Sequence, residues 1–180
     1  MERVRMVFSG SGGQGVITAA IILAEAAVLK EGLVAVQSQS YGPEARGGAT
    51  RSDVIISGSE IMFPKVIQPN ILVCLTQEAY NKFSSIIRPG GLLVTDNHFV
   101  KTERKVDARQ KELPLYQEVS EKIGKPIVFN ICMLGAVNHL AELLKPESIL
   151  GVLEGRFSRE LFEINKQALE LGIDLAAKTA

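Results

Sequence analysis

Apolar residues fall along this chain in runs of two kinds, separated by polar or glycine-bearing turns. Val4–Phe8, Leu33–Gln37, Ile71–Leu75 and Leu92–Thr95 are short and rich in β-branched residues, as buried strands are. Longer stretches have helical length: Val16–Lys30, closed by Gly32 in a C-terminal cap position, and Gln77–Ile87, before the turn Pro89-Gly90-Gly91. Ala49–Ser57 reads as a further strand, and Ser57-Gly58-Ser59 suggests a turn into a short antiparallel partner, Glu60–Phe63. The polar section Asp96–Leu113 reads as loop with a short strand near Val106. Helices are expected at Pro114–Ile123, Ile131–Leu144, Pro146–Glu154 and Arg159–Leu171, with Pro146 suited to a first helical position and Ser158 to an N-cap.

Strands alternating with helices predict an α/β, Rossmann-like fold: a mostly parallel sheet flanked by helices, a β-hairpin insertion at 49–63, and a helical C-terminal third. No repeat, low-complexity tract or linker interrupts the pattern, so residues 1–180 read as one domain. One helix departs from the amphipathic norm. Between Val16 and Leu29 only Thr18 and Glu25 are polar, so this helix is either sandwiched within its own domain or faces another subunit. In the last helix Leu161, Ile164, Ala168 and Leu171 form an ordinary core-facing stripe.

Composition narrows the function classes. Formal net charge is zero, which argues against general affinity for nucleic acid or an anionic membrane. No apolar run reaches the roughly 18 residues of a membrane span. Cys74 and Cys132 sit inside apolar runs, far apart, with neither disulfide nor metal-ligand spacing. Met1-Glu2-Arg3 leads straight into a strand without a signal-peptide pattern, so the expected compartment is the cytoplasm.

The stretch Gly10-Ser11-Gly12-Gly13-Gln14-Gly15 lies between the first strand and the first helix, and Gly10, Gly12 and Gly15 fit G-x-G-x-x-G. In that context the helix aims free N–H groups and its positive dipole end at an anion; the same glycines could also serve a purely steric turn. A nicotinamide dinucleotide further requires an acid at the end of the second strand, and Val36-Gln37-Ser38-Gln39 has none. Glu31 has the right spacing but precedes that strand. A P-loop lysine is missing too, because Gln14 and Gly15 stand in its place. His98 and His139 are isolated, no nucleophile elbow or acid/base pair stands out, and catalytic residues are expected to be absent. A second unusual segment, Tyr41-Gly42-Pro43-Glu44-Ala45-Arg46-Gly47-Gly48, sets an arginine among glycines. It reads equally as an anion or subunit contact and as a surface loop.

The two glycine segments together resemble the gamma subunit of 2-oxoacid:ferredoxin oxidoreductases. The resemblance continues through Ile61-Met62-Phe63-Pro64, Pro69-Asn70-Ile71-Leu72-Val73, Asn130-Ile131-Cys132-Met133-Leu134-Gly135-Ala136 and Asn165 to Gly172. The full Tyr-Gly-Pro-Glu-Ala-Arg-Gly-Gly string makes it most similar to the 2-oxoglutarate branch. The resemblance implies a part in oxidative decarboxylation, in which a 2-oxoacid, coenzyme A and oxidised ferredoxin give acyl-CoA, carbon dioxide and reduced ferredoxin. It implies that thiamine diphosphate and iron–sulfur clusters belong to partner subunits, one thiamine-diphosphate-binding and one ferredoxin-like. Self-association of the isolated chain is also possible. Carried over, Gly10, Ser11, Gly12, Gly13, Gln14 and Gly15 would hold the phosphates of coenzyme A. Arg46, Gly47 and Gly48 would lie at its channel or at a subunit contact. A purely structural assembly subunit, or a standalone dinucleotide-binding oxidoreductase, remains open from the residues alone. Residues 101–113 depart from the family pattern, and no contact is carried through them.

Overall fold

The computed structural model describes residues 1–40, 48–103 and 106–179. Six strands form its sheet: β1 (Val4–Gly10), β2 (Val34–Ser40), β3 (Thr50–Ser57), β4 (Ile71–Cys74), β5 (Gly91–Asp96) and β6 (Ala108–Leu113). Their order is β2-β3-β1-β4-β5-β6. The pairings β1–β4, β4–β5 and β5–β6 are parallel. β3 runs antiparallel to β1 on one side and to β2 on the other.

That double pairing corrects the expected partner for β3. Both of its edges are already hydrogen-bonded, so residues 60–63 have no ladder to join and form no strand. Ile61 leans on the core, while Met62 and Phe63 stand exposed. β6 begins two residues past the short strand expected near Val106 and takes up the end of the section expected as loop. Its residues, Ala-Arg-Gln-Lys-Glu-Leu, carry charge rather than apolar alternation, as an edge strand can.

The sheet separates two cores. On one side Met6, Phe8, Val54, Val73 and Val94 pack with α1 (Val16–Glu31), α3 (Leu115–Lys122), α4 (Phe129–Ala141), α5 (Pro146–Arg156) and α6 (Arg159–Ala177). On the other, Val7, Ile55, Leu72 and Leu93 meet α2 (Gln77–Phe83), which continues as a 3-10 turn at Ser84–Ile86. The apolar α1 is sandwiched within its own fold, against β2 and β3 below and α4 and α5 beside it. Its exposed large apolar side chains, Val28 and Leu29, lie near its end, while Ile17 and Ile21 are half-buried. Gly32 caps it in the left-handed region, φ +64°, as expected. Pro146 opens α5 and Ser158 takes the N-cap position of α6, although its hydroxyl makes no capping bond.

The buried stripe of α6 is rotated from the expected one. It runs through Asn165, Ala168, Leu169, Gly172, Leu175 and Ala176, and Leu161 is exposed. Gly172 and Gly135 explain the rotation. A β-carbon on either would overlap a backbone carbonyl of the facing helix, that of Cys132 or of Leu169. The crossing of α4 and α6 is therefore set by backbone contact. This fixes the N-terminal end of α4, which reaches the glycine turn.

Candidate functional site

β1 ends at Gly10 and α1 begins at Val16, so Ser11–Gly15 must carry the chain from strand to helix. Gly13 and Gly15 do this with φ of +92° and +71°, a region that costs a residue with a β-carbon about 1–2 kcal/mol. A β-carbon at Gly10 would lie 2.5 Å from Gln14 Oε1 and 3.2 Å from Val16 Cγ1. Gly12 and Gly13 have no neighbour among the described residues within 4 Å of where a side chain would start, and of the two only Gly12 has a φ outside the left-handed region.

Gln14 folds back into the turn. The Ser11 N–H donates to its Oε1 at 2.8 Å, and its Nε2 donates to the Leu75 carbonyl at 3.2 Å, just past β4. Both ends of this amide, and the backbone N–H of Ser11, are thus spent on bracing the turn. Gly15 is the N-cap of α1. It supplies no side-chain cap, and the first turn holds no acid. The helix therefore presents its positive end, equivalent to roughly half an elementary charge, with neither a capping side chain nor an acid of its own first turn to neutralise it.

A group missed in the sequence completes the frame. Asn130, the second residue of α4 and only 7% exposed, donates through Nδ2 to the Gly15 carbonyl at 3.2 Å. A buried amide in the apolar first turns of a helix needs a partner; that was the available signal.

The neighbouring strand end is also polar. Asp96, fully buried at the end of β5, accepts the His98 N–H at 2.9 Å and the Tyr116 N–H at 2.8 Å, so it caps α3. Burial pushes its carboxyl above the usual carboxylate range, and backbone hydrogen bonds from Tyr116, His98 and Phe99 offset part of that rise. His98 stacks on Tyr116, with centroids 4.9 Å apart, and meets Phe99 edge-on. Phe129, next to Asn130, joins the same aromatic group. Burial also raises both thiols, Cys132 to about 12 and Cys74 further.

In the second glycine segment, Tyr41–Gly47 lie outside the described residues, and with them Arg46 and Gly47. Gly48 is described as a bend leading into β3. Register nevertheless brings both flanks of the segment to the turn. Thr50 pairs with Gly10, while Ser40 pairs with Arg51, which in turn pairs with Ser9. At about 4.8 Å per strand, Ser40 is roughly 10 Å across the sheet from β1. Arg51 itself is engaged, bonded to Asp53 at 2.6 Å and to the Val66 carbonyl at 2.7 Å.

Glu31 is at the opposite end of α1, where it accepts from the Lys145 N–H at 2.7 Å and from Ser148 Oγ at 2.8 Å. It caps α5 and is remote from the turn. His139 lies with it on a cavity of about 390 Å³ at that far end. Among the described residues, no group of three or more His, Cys, Asp or Glu side chains could hold a metal ion. The turn can thus meet an anion through backbone and dipole.

Comparison with known proteins adds what geometry leaves open. A family model described as pyruvate ferredoxin/flavodoxin oxidoreductase matches residues 5–175. The chain is 44% identical over 176 residues to 2-oxoglutarate synthase subunit KorC of Methanocaldococcus jannaschii, covering 97% of this chain and 94% of that one. It superposes with a TM-score of 0.89 and 37% identity on the keto/oxoacid ferredoxin oxidoreductase gamma subunit of Geobacter sulfurreducens, covering 97% of this chain and 99% of that one. It matches the fold of part of the 2-oxoglutarate:ferredoxin oxidoreductase of Magnetococcus marinus, solved with 2-oxoglutarate, coenzyme A and succinyl-CoA bound. That likeness has a TM-score of 0.88 at 22% identity, over 99% of this chain and 32% of that one.

Proposed function

The chain belongs to the pyruvate ferredoxin/flavodoxin oxidoreductase family as a gamma-type subunit, most like those of 2-oxoglutarate enzymes, and we propose that it supplies the coenzyme A phosphate site of such a complex. The complex would convert 2-oxoglutarate, coenzyme A and oxidised ferredoxin to succinyl-CoA, carbon dioxide and reduced ferredoxin. Thiamine diphosphate and the iron–sulfur clusters would sit on the partner subunits, one thiamine-diphosphate-binding and one ferredoxin-like. Among the described residues no helix is long and apolar enough to cross a membrane, and the two free, buried thiols suit the reducing cytoplasm.

The observation that carries the reading is the uncapped start of α1 behind a braced glycine turn. A pyrophosphate there would meet helix N–H groups with the dipole in its favour. Gly12, with no described residue within 4 Å of where its side chain would start, fits an open approach. The missing ribose acid and P-loop lysine fit a ligand gripped mainly through its phosphates. The Magnetococcus marinus protein, which shares the fold, was solved with coenzyme A bound.

Isothermal titration of the full chain with coenzyme A tests this, using Gly12→Asp and Gly12→Ala. Because position 12 is open, both variants fold, and they differ in charge at the anion site. Binding that survives in Gly12→Ala and is lost in Gly12→Asp supports the reading. Equal binding in both places the ligand elsewhere and leaves the turn an assembly element.

A further inference from the structure

We propose that Asn130 is the positioning residue of the anion-binding turn, the group that holds α1's first turn at the orientation in which it meets the ligand. The inference rests on the reading of the turn as a coenzyme A phosphate site. Its own basis is a chain of contacts. Gly135 and Gly172 bring the backbones of α4 and α6 together so closely that neither helix can slide. Asn130, at the head of α4, then reaches 115 residues back to the Gly15 carbonyl at 3.2 Å. That carbonyl also accepts the Ala19 N–H at 3.0 Å, the first hydrogen bond of α1. Asn130 therefore grips the peptide that fixes where the helix begins and which way its N–H groups point.

The fit is two-sided. At φ +71° the missing side chain of Gly15 would have stood 2.5 Å from Asn130 Nδ2, so the amide occupies the space that the glycine leaves. Gln14 braces the same turn from the other side, on Leu75. Without Asn130 the turn keeps that brace and its fold but loses its tie to α4. Ligand affinity should suffer more than turnover.

The same helix provides a control. Asn138, 3% exposed, donates to the Leu144 carbonyl at 2.9 Å and accepts the Leu144 N–H at 3.0 Å, at the end of α4 away from the turn. Its loss should cost at least as much stability, with no effect on the ligand.

The test is steady-state kinetics of the assembled oxidoreductase complex carrying Asn130→Ala, Asn130→Asp, Asn138→Ala or Gly12→Asp, with the melting temperature of each. For Asn130→Ala the KM for coenzyme A should rise about three- to tenfold, the weight of one hydrogen bond. Its kcat and the KM for the 2-oxoacid should stay within about twofold. Asn130→Asp, which keeps the shape but sets a carboxylate beside the anion, should raise that KM further. Asn138→Ala should lower the melting temperature and leave the KM unchanged. A raised KM in Gly12→Asp with a normal one in both Asn130 variants overturns the positioning role while the site stands. A normal KM in Gly12→Asp and in both Asn130 variants overturns the site itself. Equal KM rises in Asn130→Ala and Asn138→Ala reduce Asn130 to a general stability residue.

Discussion

Replacing Gly15 by alanine exposes how the turn is held, because two separable costs meet at that residue. The first is conformational: at φ +71° a β-carbon costs about 1–2 kcal/mol. The second is the neighbour. The new carbon would stand 2.5 Å from Asn130 Nδ2, so the amide must swing away and give up its 3.2 Å bond to the Gly15 carbonyl. A buried bond of that kind contributes about 0.5–1.5 kcal/mol. Together Gly15→Ala should cost about 1.5–3.5 kcal/mol, with the two parts taken from the same ranges. For a chain of this length that lowers the melting temperature by about 2–4 °C per kcal/mol. Urea unfolding of the full chain, followed by circular dichroism, measures it. The decisive comparison repeats Gly15→Ala in an Asn130→Ala background, where the hydrogen bond is already gone, the conformational part and a 3.0 Å approach to the β-carbon of residue 130 are left, and the cost falls by about 0.5–1.5 kcal/mol. If the two substitutions simply add, to within the roughly 0.3–0.5 kcal/mol seen for independent sites, the contact between Gly15 and Asn130 carries no energy and the reasoning fails.

Gly172→Ala drives a carbon into the Cys132 carbonyl, with backbone on both sides. We expect at least about 3 kcal/mol of destabilisation, the upper range for overpacking, read from urea midpoints; a loss under about 1 kcal/mol would mean that α4 and α6 part freely. Asp96 has its carboxyl raised by burial, so the native state binds its proton more tightly than the unfolded state does. Its contribution therefore falls as pH rises from the ordinary aspartate range through the raised value. The stability difference between the wild type and Asp96→Asn should accordingly shrink from pH 3 to pH 7, and a difference that widens with pH would reverse the sign. Cys74 and Cys132 are buried, with thiols raised by that burial. Ellman's reagent at pH 8 should find neither in the native chain and both in denaturant; rapid native labelling of either would contradict the packing.

How much of this was legible in the sequence follows from where the physical signal lay. The strands β1, β4 and β5 are covered on both faces, so they read as unbroken apolar runs. Gly32 and Pro146 occupy positions where backbone chemistry alone selects them. The bounds of β6 were poorly marked, and only a short strand near Val106 is legible, because an edge strand is under no pressure to alternate. The partner imagined for β3 failed because pairing is a property of the whole sheet: nothing local in 49–63 says that β1 and β2 already occupy both edges. The rotation of α6 was invisible for a similar reason. Hydrophobic periodicity picks the side with the largest apolar residues, whereas the contact is made where glycine lets two backbones touch. At the site, the glycine spacing pointed to the turn and the absent ribose acid removed the nicotinamide reading, with Glu31 indeed at the wrong end. Gln14 is legible as a member of the glycine loop, whereas the bracing role of its amide on Ser11 and Leu75 needs the fold. The role of Asn130 has no local mark in the sequence, because its partner lies 115 residues away.

The most direct test of coenzyme A binding at the turn is the KM for coenzyme A of the assembled complex with Gly12→Asp beside Gly12→Ala. A carboxylate about 5 Å from a phosphate, at an effective dielectric of about 80 to 20, opposes binding by about 1–3 kcal/mol, or about five- to 200-fold. We expect a rise in that range for Gly12→Asp, an unchanged KM for the 2-oxoacid, and near-normal kinetics for Gly12→Ala. A KM for coenzyme A that is the same in both variants would contradict binding at this turn.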